Sequence, residues 1–189
     1  MDRTSDASLI QESLEGDSAA FDQLVLRYQQ RLVHSLEHSY GSREDALDIA
    51  QQAFVLAWRK LSTFRGDSSF YSWLYRIARN AAATRRRKKR VQSGSLEQLA
   101  DTGGFHPVDD NDSTAPGHRL EQSEDVAAVR TALQQLAEDF RAPLVMKEID
   151  GFSYEEISQI LNIPMGTVRS RLFRARQEMA ERLTRLLSD

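Results

Sequence analysis

The chain has 189 residues, enough for one domain or two small ones, with a net charge of −3 and no cysteine, which excludes a disulfide framework and a cysteine-based zinc finger. No apolar run approaches the ~20 residues needed to span a bilayer, and the first residues lack the layout of a signal peptide, so we expect a cytoplasmic protein that does not insert into a membrane. Nine glycines and four prolines favour helices, and no alternating run is long enough for a sheet, so the predicted fold class is all-α.

Four helices are predicted in the first half of the chain, over about residues 7–16, 18–40, 42–61 and 70–90. Ser42 with Asp45 caps the start of the third helix. The apolar spacing assigns one face of each longer helix to a core. These faces comprise Phe21, Leu24, Val25, Tyr28, Leu32 and Leu36, then Ala46, Ile49, Ala50, Ala53, Ala57 and Leu61, and finally Phe70, Leu74, Ile77 and Ala81.

The fourth helix is predicted to turn a face of aromatic, amide and cationic side chains outward. Its members are Ser72, Tyr75, Arg76, Arg79, Asn80 and Ala83. Aromatic residues are dense here. Phe70 and Trp73 are assigned to the core, whereas buried and exposed placements both stay open for Phe64, Tyr71 and Tyr75. Exposed rings stack on bases and guanidinium groups follow phosphates, so this face is a candidate site for single-stranded nucleic acid.

Six consecutive basic residues end the fourth helix and form what we call the basic segment: Arg85, Arg86, Arg87, Lys88, Lys89 and Arg90. Adjacent like charges repel one another unless phosphates are nearby, so we interpret the segment as a phosphate-binding element rather than a merely solvated helix end.

A composition change divides the chain into two domains. Residues 92–120 collect glycine, proline, serine and aspartate, and residues 97–125 contain eight acidic residues against one arginine. We therefore predict a flexible acidic linker over residues 92–122, between small helical domains at residues 1–91 and 123–189.

A helix, a sharp turn and a second helix are predicted after residue 152. Ser153 and Glu156 form a capping box that begins the first helix, and Pro164 closes the turn. The second helix buries the stripe Val168, Leu172, Ala175, Met179, Leu183 and Leu186. Its outward face and flanks carry Arg169, Ser170, Arg171, Phe173, Arg174, Arg176 and Gln177. A helix-turn-helix places such residues in the major groove, so we predict binding to duplex DNA.

Three ordered stretches resemble one family, the extracytoplasmic-function sigma factors of bacterial RNA polymerase. The sequence DALDIAQQAF at residues 45–54 resembles the family's polymerase-binding segment. The sequence FRGDSSFYSWLYRIARN at residues 64–80 resembles its promoter-melting segment, and IDGFSYEEI at 149–157 with GTVRSRL at 166–172 resembles its helix-turn-helix. The resemblance spans nearly the whole chain outside the linker.

The resemblance implies a dissociable subunit of core RNA polymerase that binds promoter DNA, with an anti-sigma factor as a further candidate partner and with no catalytic residue, cofactor or small-molecule substrate. It assigns Asp48, Gln51 and Gln52 to polymerase docking. It assigns the −10 element and its melting to Phe64, Arg65, Gly66, Asp67, Ser68, Ser69, Tyr75, Arg76, Arg79 and Asn80. It assigns the −35 element to Arg169, Ser170, Phe173 and Arg174, with Arg171 and Arg176 beside them.

Two other functions fit parts of the sequence. His34, Glu37 and His38 match the H-x-x-E-H spacing of some zinc hydrolases, but the other two histidines lie in the predicted linker, so no metal site is assigned. An autonomous helix-turn-helix regulator with an N-terminal sensing or dimerisation domain is the stronger alternative. It is disfavoured because the N-terminal half contains no small-molecule motif and has its own candidate nucleic-acid face.

Overall fold

The computed structural model describes residues 5–93 and 124–187, with side chains described at residues 5–87 and 126–187. Within these ranges all the regular secondary structure is helical, which confirms the predicted fold class. The helices are α1 (Asp6–Leu14), α2 (Ser18–Tyr40), α3 (Arg43–Lys60), α4 (Phe70–Ser93), α5 (Glu124–Gln134), α6 (Glu138–Glu148), α7 (Tyr154–Leu161) and α8 (Met165–Leu186). A short 3₁₀ turn, Leu61–Thr63, follows α3.

Helices α1 to α4 form the N-terminal half, and α2 and α3 supply much of its core. Ser42 caps α3 by accepting a hydrogen bond from the backbone N–H of Asp45, as the sequence predicts. The residues assigned to the core are fully buried or partly buried against it, including Leu24, Leu36 and Leu74. Small residues such as Ala53 let the α3 backbone approach its neighbours closely. The predicted buried faces of these helices are therefore confirmed.

Helices α5 to α8 form the C-terminal half, in which α8 packs against α5, α6 and α7. The turn between α7 and α8 passes through Asn162, whose φ of 53° is left-handed, and Pro164 then precedes the first residue of α8. The predicted stripe on α8 is buried at Val168 and Leu172. Its last member, Leu186, is 38% exposed, so the prediction that it is buried is wrong.

The two halves pack against each other and share one continuous apolar core. Helix α2 contacts α5 and α6, and α4 contacts α7. The sequence predicts two domains but not their relative placement, so this packing is a new finding. The predicted linker at 92–122 lies outside the described residues except at its first two positions, where α4 continues to Ser93.

Within residues 5–93 and 124–187, no helix is both long enough and apolar enough to cross a membrane.

Candidate nucleic-acid interface

The outward face of α8 is exposed as the sequence predicts. Helix α7 begins with a complete capping box: the Ser153 side chain accepts from the Glu156 N–H at 3.1 Å, and the Glu156 carboxylate accepts from the Ser153 N–H at 2.9 Å. The cap fixes where α7 starts and hence how α8 leaves the turn. The side chains of Arg169, Ser170, Phe173 and Arg174 are all exposed at the N-terminal part of α8. Phe173 is 70% exposed.

The two flanking arginines of α8 are engaged within the C-terminal half. Arg171 forms an ion pair with Asp139 at 3.1 Å. Arg176 donates to Glu148 through Nη2 at 2.8 Å and Nε at 3.1 Å, and these hydrogen bonds raise the pKa of its guanidinium. The positive charges of Arg171 and Arg176 are therefore offset by carboxylates of the same half, unlike those of Arg169 and Arg174.

The start of α4 combines an aromatic cluster with a polar turn. The Phe64 ring lies 5.3 Å from that of Trp73 and 6.0 Å from that of Phe70, and Phe64 is only partly buried. The turn after it comprises Arg65, Gly66, Asp67, Ser68 and Ser69, most of which are exposed. Ser69 ends the turn by accepting a hydrogen bond from the Ser72 N–H at 3.1 Å. These contacts hold Phe64 beside the first turns of α4.

The outward face predicted for α4 is only partly correct. Asn80 is exposed, and Arg76 and Arg79 are partly exposed. Tyr75 is only 1% exposed and Ser72 only 2%, so the prediction that these two side chains face outward is wrong in this structure. The reason is tertiary: α4 packs against α7 as well as against its own half, and a helix covered on two sides has a wider buried face than its apolar residues indicate.

The predicted polymerase-docking residues lie on the free side of α3. Asp48, Gln51 and Gln52 are exposed, beside the exposed apolar side chains of Leu47 and Val55. We call this group the α3 surface. It combines polar and apolar side chains, a composition typical of surfaces that bind another protein.

The basic segment begins with two residues that are paired within the protein. Arg85 binds Asp45 at 2.9 Å and Asp48 at 2.8 Å, and the hydrogen bond to Asp48 is the main cause of a raised pKa for its guanidinium. Arg86 forms an ion pair with Glu138 of α6. The Arg87 side chain is exposed. The side chains of Lys88, Lys89 and Arg90 lie outside the described residues.

Sequence analysis missed a polar cluster between the halves, centred on the buried carboxyl of Asp150. Asp150 is 4% exposed and accepts hydrogen bonds from the Ser35 hydroxyl at 2.5 Å and the Tyr71 hydroxyl at 2.7 Å. Burial raises the pKa of the Asp150 carboxyl, against the opposite effect of these two donors. One sequence feature indicated this cluster: Ser35 and Ser39 are two small polar residues one turn apart on the apolar face of α2. Their hydroxyls lie 3.1 Å and 3.4 Å from the Tyr75 hydroxyl.

Among the described residues, no group of three or more histidine, aspartate or glutamate side chains is arranged to hold a metal ion. The rings of His34 and His38 pack edge to face, with centroids 4.5 Å apart.

Both halves of the chain match known families. Residues 24–91 match the family described as Sigma-70 region 2, and residues 127–179 match the family described as Sigma-70, region 4. The chain is 39% identical over 188 residues to the RNA polymerase sigma-H factor of Pseudomonas aeruginosa, an alignment that covers 97% of this chain and 96% of that protein. It is 37% identical over 193 residues to the ECF RNA polymerase sigma-E factor of Escherichia coli K12, with 98% of each chain covered.

Two solved structures also align with this chain over most of its length. The sigma factor RpoE of Bartonella quintana, solved in complex with the anti-sigma factor NepR, aligns with a TM-score of 0.68 at 25% identity, covering 87% of this chain and 96% of that one. CnrH, solved in complex with the cytosolic domain of CnrY, aligns with a TM-score of 0.66 at 27% identity, covering 93% and 95%.

The fold and the exposed helix-turn-helix thus place this protein among the transcription-initiation factors that read promoters. The chain belongs to the extracytoplasmic-function sigma factors, and as an alternative sigma factor it directs promoter-specific transcription by RNA polymerase. Its relatives are named as sigma factors and not as enzymes. Because they align along nearly the whole chain, the alternative of an autonomous regulator with an unrelated N-terminal domain is not supported.

Proposed function

We propose that this sigma factor acts in the cytoplasm, where it binds bacterial core RNA polymerase and places two DNA-binding domains on a promoter. Residues 1–91 would dock on the polymerase and open the −10 element, and residues 123–189 would read the −35 element as duplex. Residues 92–122 would connect them as an acidic linker. The observation that carries the proposal is the presence of two exposed surfaces of suitable chemistry, one in each half.

The −35 assignment rests on the exposed face of α8. Arg169, Ser170, Phe173 and Arg174 share the N-terminal part of this helix, which a helix-turn-helix inserts in the major groove. Arginine can bind both acceptors of a guanine edge, and an exposed ring can contact a thymine methyl group. Arg171 and Arg176 stay in the proposed site as positioning or phosphate-binding groups, since each is held by a carboxylate of its own half.

The −10 assignment rests on Phe64, the turn at residues 65–69 and the exposed part of α4. Asn80 is available to a base edge, and Arg76 and Arg79 lie on the same helix. Tyr75 belongs to the proposed site only in a state in which the halves have separated.

Polymerase docking is proposed for Asp48, Gln51 and Gln52, because they project from the α3 surface while Ile49 and Ala50 hold the helix in the core. For the basic segment, residues 85–90, we propose phosphate contacts.

An anti-sigma partner is a proposal by analogy, because two structural relatives were solved as complexes. RpoE was solved with the anti-sigma factor NepR, and CnrH with the cytosolic domain of CnrY.

Reconstituted transcription tests the proposed function. Purified protein should co-elute with sigma-free core polymerase, and the mixture should give run-off transcripts from a promoter subset selected from genomic fragments, where core polymerase alone gives none. Failure to bind the core enzyme would overturn the proposal. The Arg174→Ala variant serves as an internal check, since it should keep core binding and lose promoter selectivity.

A further inference from the structure

The turn that precedes α7 is bound by the opposite half of the protein. Phe152 stacks on Tyr71, with centroids 5.4 Å apart and an interplanar angle of 20°, and meets Tyr75 edge-on at 5.3 Å. Arg31 donates from Nη2 to the backbone carbonyl of Asp150 at 2.5 Å, and its guanidinium lies 3.9 Å from the centre of the Tyr71 ring. The N-terminal half thus contacts three groups of the turn: the Asp150 carboxylate, the Asp150 carbonyl and the Phe152 ring.

The Asp150 side chain serves this contact rather than the fold of its own half. Its hydrogen bonds among the described residues go to Ser35 and Tyr71, both in the N-terminal half. A carboxylate inside an apolar contact is unfavourable unless donors compensate for the lost water, and these two hydroxyls do so. If the halves separate, water can satisfy all three groups. An interface that combines apolar rings with such groups is typical of domains that come apart in function.

Polar contacts around the turn extend the interface. Ser72 of α4 donates to Glu156 of α7 at 2.5 Å. Gln134 at the end of α5 donates to the backbone carbonyl of His38 at 3.1 Å and lies against Gly41, where an added Cβ would be 2.5 Å from its Oε1. The interface therefore runs from the C-terminal end of α2 to the first turns of α4.

We propose that Arg31, Ser35, Tyr71 and Tyr75 form an acceptor site for an acid-glycine-aromatic turn, and that its occupant in the free protein is the chain's own segment at residues 150–152. We call this arrangement the closed state, and we call the contact between residues 150–152 and the acceptor site the lock. Because Tyr75, a residue predicted to contact the −10 element, is buried against Phe152 in the closed state, closure covers part of the proposed −10 surface. The free sigma factor is therefore held away from promoter DNA until core polymerase separates the halves. This inference rests on the proposed function for the role of the covered surface, but not for the existence of the lock.

The lock is tested on the full-length protein by single-molecule energy transfer. The chain lacks cysteine, so dyes can be attached at Ser62→Cys and Ala180→Cys, two exposed positions in opposite halves. Asp150→Ala should lower the ratio of closed to open molecules about tenfold, because it leaves two buried hydroxyls without their acceptor. Glu155→Ala, which removes an exposed carboxylate from α7, should leave the ratio unchanged. Circular dichroism and thermal unfolding of each variant establish that both halves stay folded.

A second variant tests the lock from the other side. Tyr71→Phe removes one donor and keeps the ring, and its effect combined with Asp150→Ala should be smaller than the sum of the two single effects, because both act on one hydrogen bond. Additive effects, or an Asp150→Ala ratio equal to that of Glu155→Ala, would overturn the lock.

Two further measurements examine opening and its consequence. Adding core polymerase should shift the wild-type protein to the open population, and an unchanged distribution in the assembled holoenzyme would overturn polymerase-driven opening. A single-stranded −10 oligonucleotide should bind free Asp150→Ala more tightly than free wild-type protein. Equal binding, with the lock shown to be released, would refute the covering of the −10 surface while leaving run-off transcription as a separate test of the proposed function.

Discussion

Arg85 and Asp48 are joined by a hydrogen bond of 2.8 Å between Nη1 and Oδ2, which connects the basic segment to the α3 surface. The same guanidinium reaches Asp45, so one arginine is shared by two carboxylates. Arg85 is therefore a positioning group for a proposed docking residue, rather than a cation whose charge is free for phosphate.

The residues of the basic segment should therefore contribute unequally to the salt dependence of promoter binding. Each arginine that contacts a phosphate contributes about 1 to the slope of log K against log salt. Arg87→Ala, at an exposed position, should reduce the slope for promoter binding by the holoenzyme by about that amount. Arg85→Ala should reduce it much less, because its charge is already neutralised within the protein. Equal slope changes for the two variants would contradict this distinction, and binding titrations between low and moderate salt measure it.

Docking on the polymerase should depend on the α3 surface and not on the fold. We expect Asp48→Ala with Gln51→Ala to weaken assembly with core polymerase by about tenfold or more, since both side chains are exposed and lie outside the apolar core that holds α3. The hydrogen bond from Arg85 to Asp48 is lost in this variant, so its thermal unfolding must be compared with wild type. Competition against labelled wild-type sigma measures the affinity. Glu44→Ala, an exposed acid at the start of the same helix, is the matched control. Full assembly by the double variant would place the docking site elsewhere.

Arg174 should contribute sequence specificity. Arg174→Ala is expected to cost about 1 to 3 kcal/mol at particular −35 base pairs, because its exposed side chain lies where α8 would enter the groove. Arg185→Ala, near the C-terminal end of α8, should lower affinity for all sequences alike or not at all. A panel of single-base −35 substitutions separates the two cases, and a uniform loss for Arg174→Ala would rule out its role in base reading.

Promoter melting should depend on Phe64 and Asn80. Extruding a base costs a few kcal/mol, and contacts available only in the opened state must compensate for it. Asn80→Ala with Phe64→Ala should leave closed-complex binding nearly intact and slow melting of a linear promoter, and a template with a pre-opened bubble should restore transcription. Permanganate reactivity of unpaired thymines reports the difference. Since Phe64 packs on Trp73, thermal unfolding of the variant must be compared with wild type. Wild-type thymine reactivity would exclude this site.

Closure between the halves should strengthen at mildly acidic pH. Burial raises the pKa of Asp150 in the closed state, so that state binds the proton more readily than the open one. The stabilisation is complete below the ordinary carboxyl pKa and is lost as pH rises through the raised value. We expect the closed fraction to increase between neutral pH and about pH 5, measured with the same dye pair.

Other charged groups near Asp150 require controls in that experiment. Arg31 and His34 both act electrostatically on the carboxylate and lower its pKa, whereas burial raises the pKa values of Tyr71 and Tyr75 and keeps them neutral. His34→Gln removes the histidine contribution. The pH dependence should remain in that variant and disappear when Asp150→Ala is added. If it survives in the double variant, another group is responsible.

The sequence by itself determined the helices and the α8 face. The capping pairs at Ser42 and Ser153, and the periodic apolar residues, act within a few residues of each other, so their consequences can be worked out from spacing alone. The exposure of Phe173 and Arg174 follows from the same count. The family followed from three motifs in order.

Only the tertiary structure decided what lies between the halves. Tyr75 has the phase of an outward residue on α4, yet it is buried because a second helical layer covers that side. Asp150 is polar and follows α6 in a turn, where exposure is the usual expectation, yet Ser35 lies 115 positions earlier in the chain and supplies a donor. Likewise, the pairing of Arg85 with Asp48 spans 37 positions between different helices. Such contacts depend on how whole helices pack, and local periodicity carries no information about that.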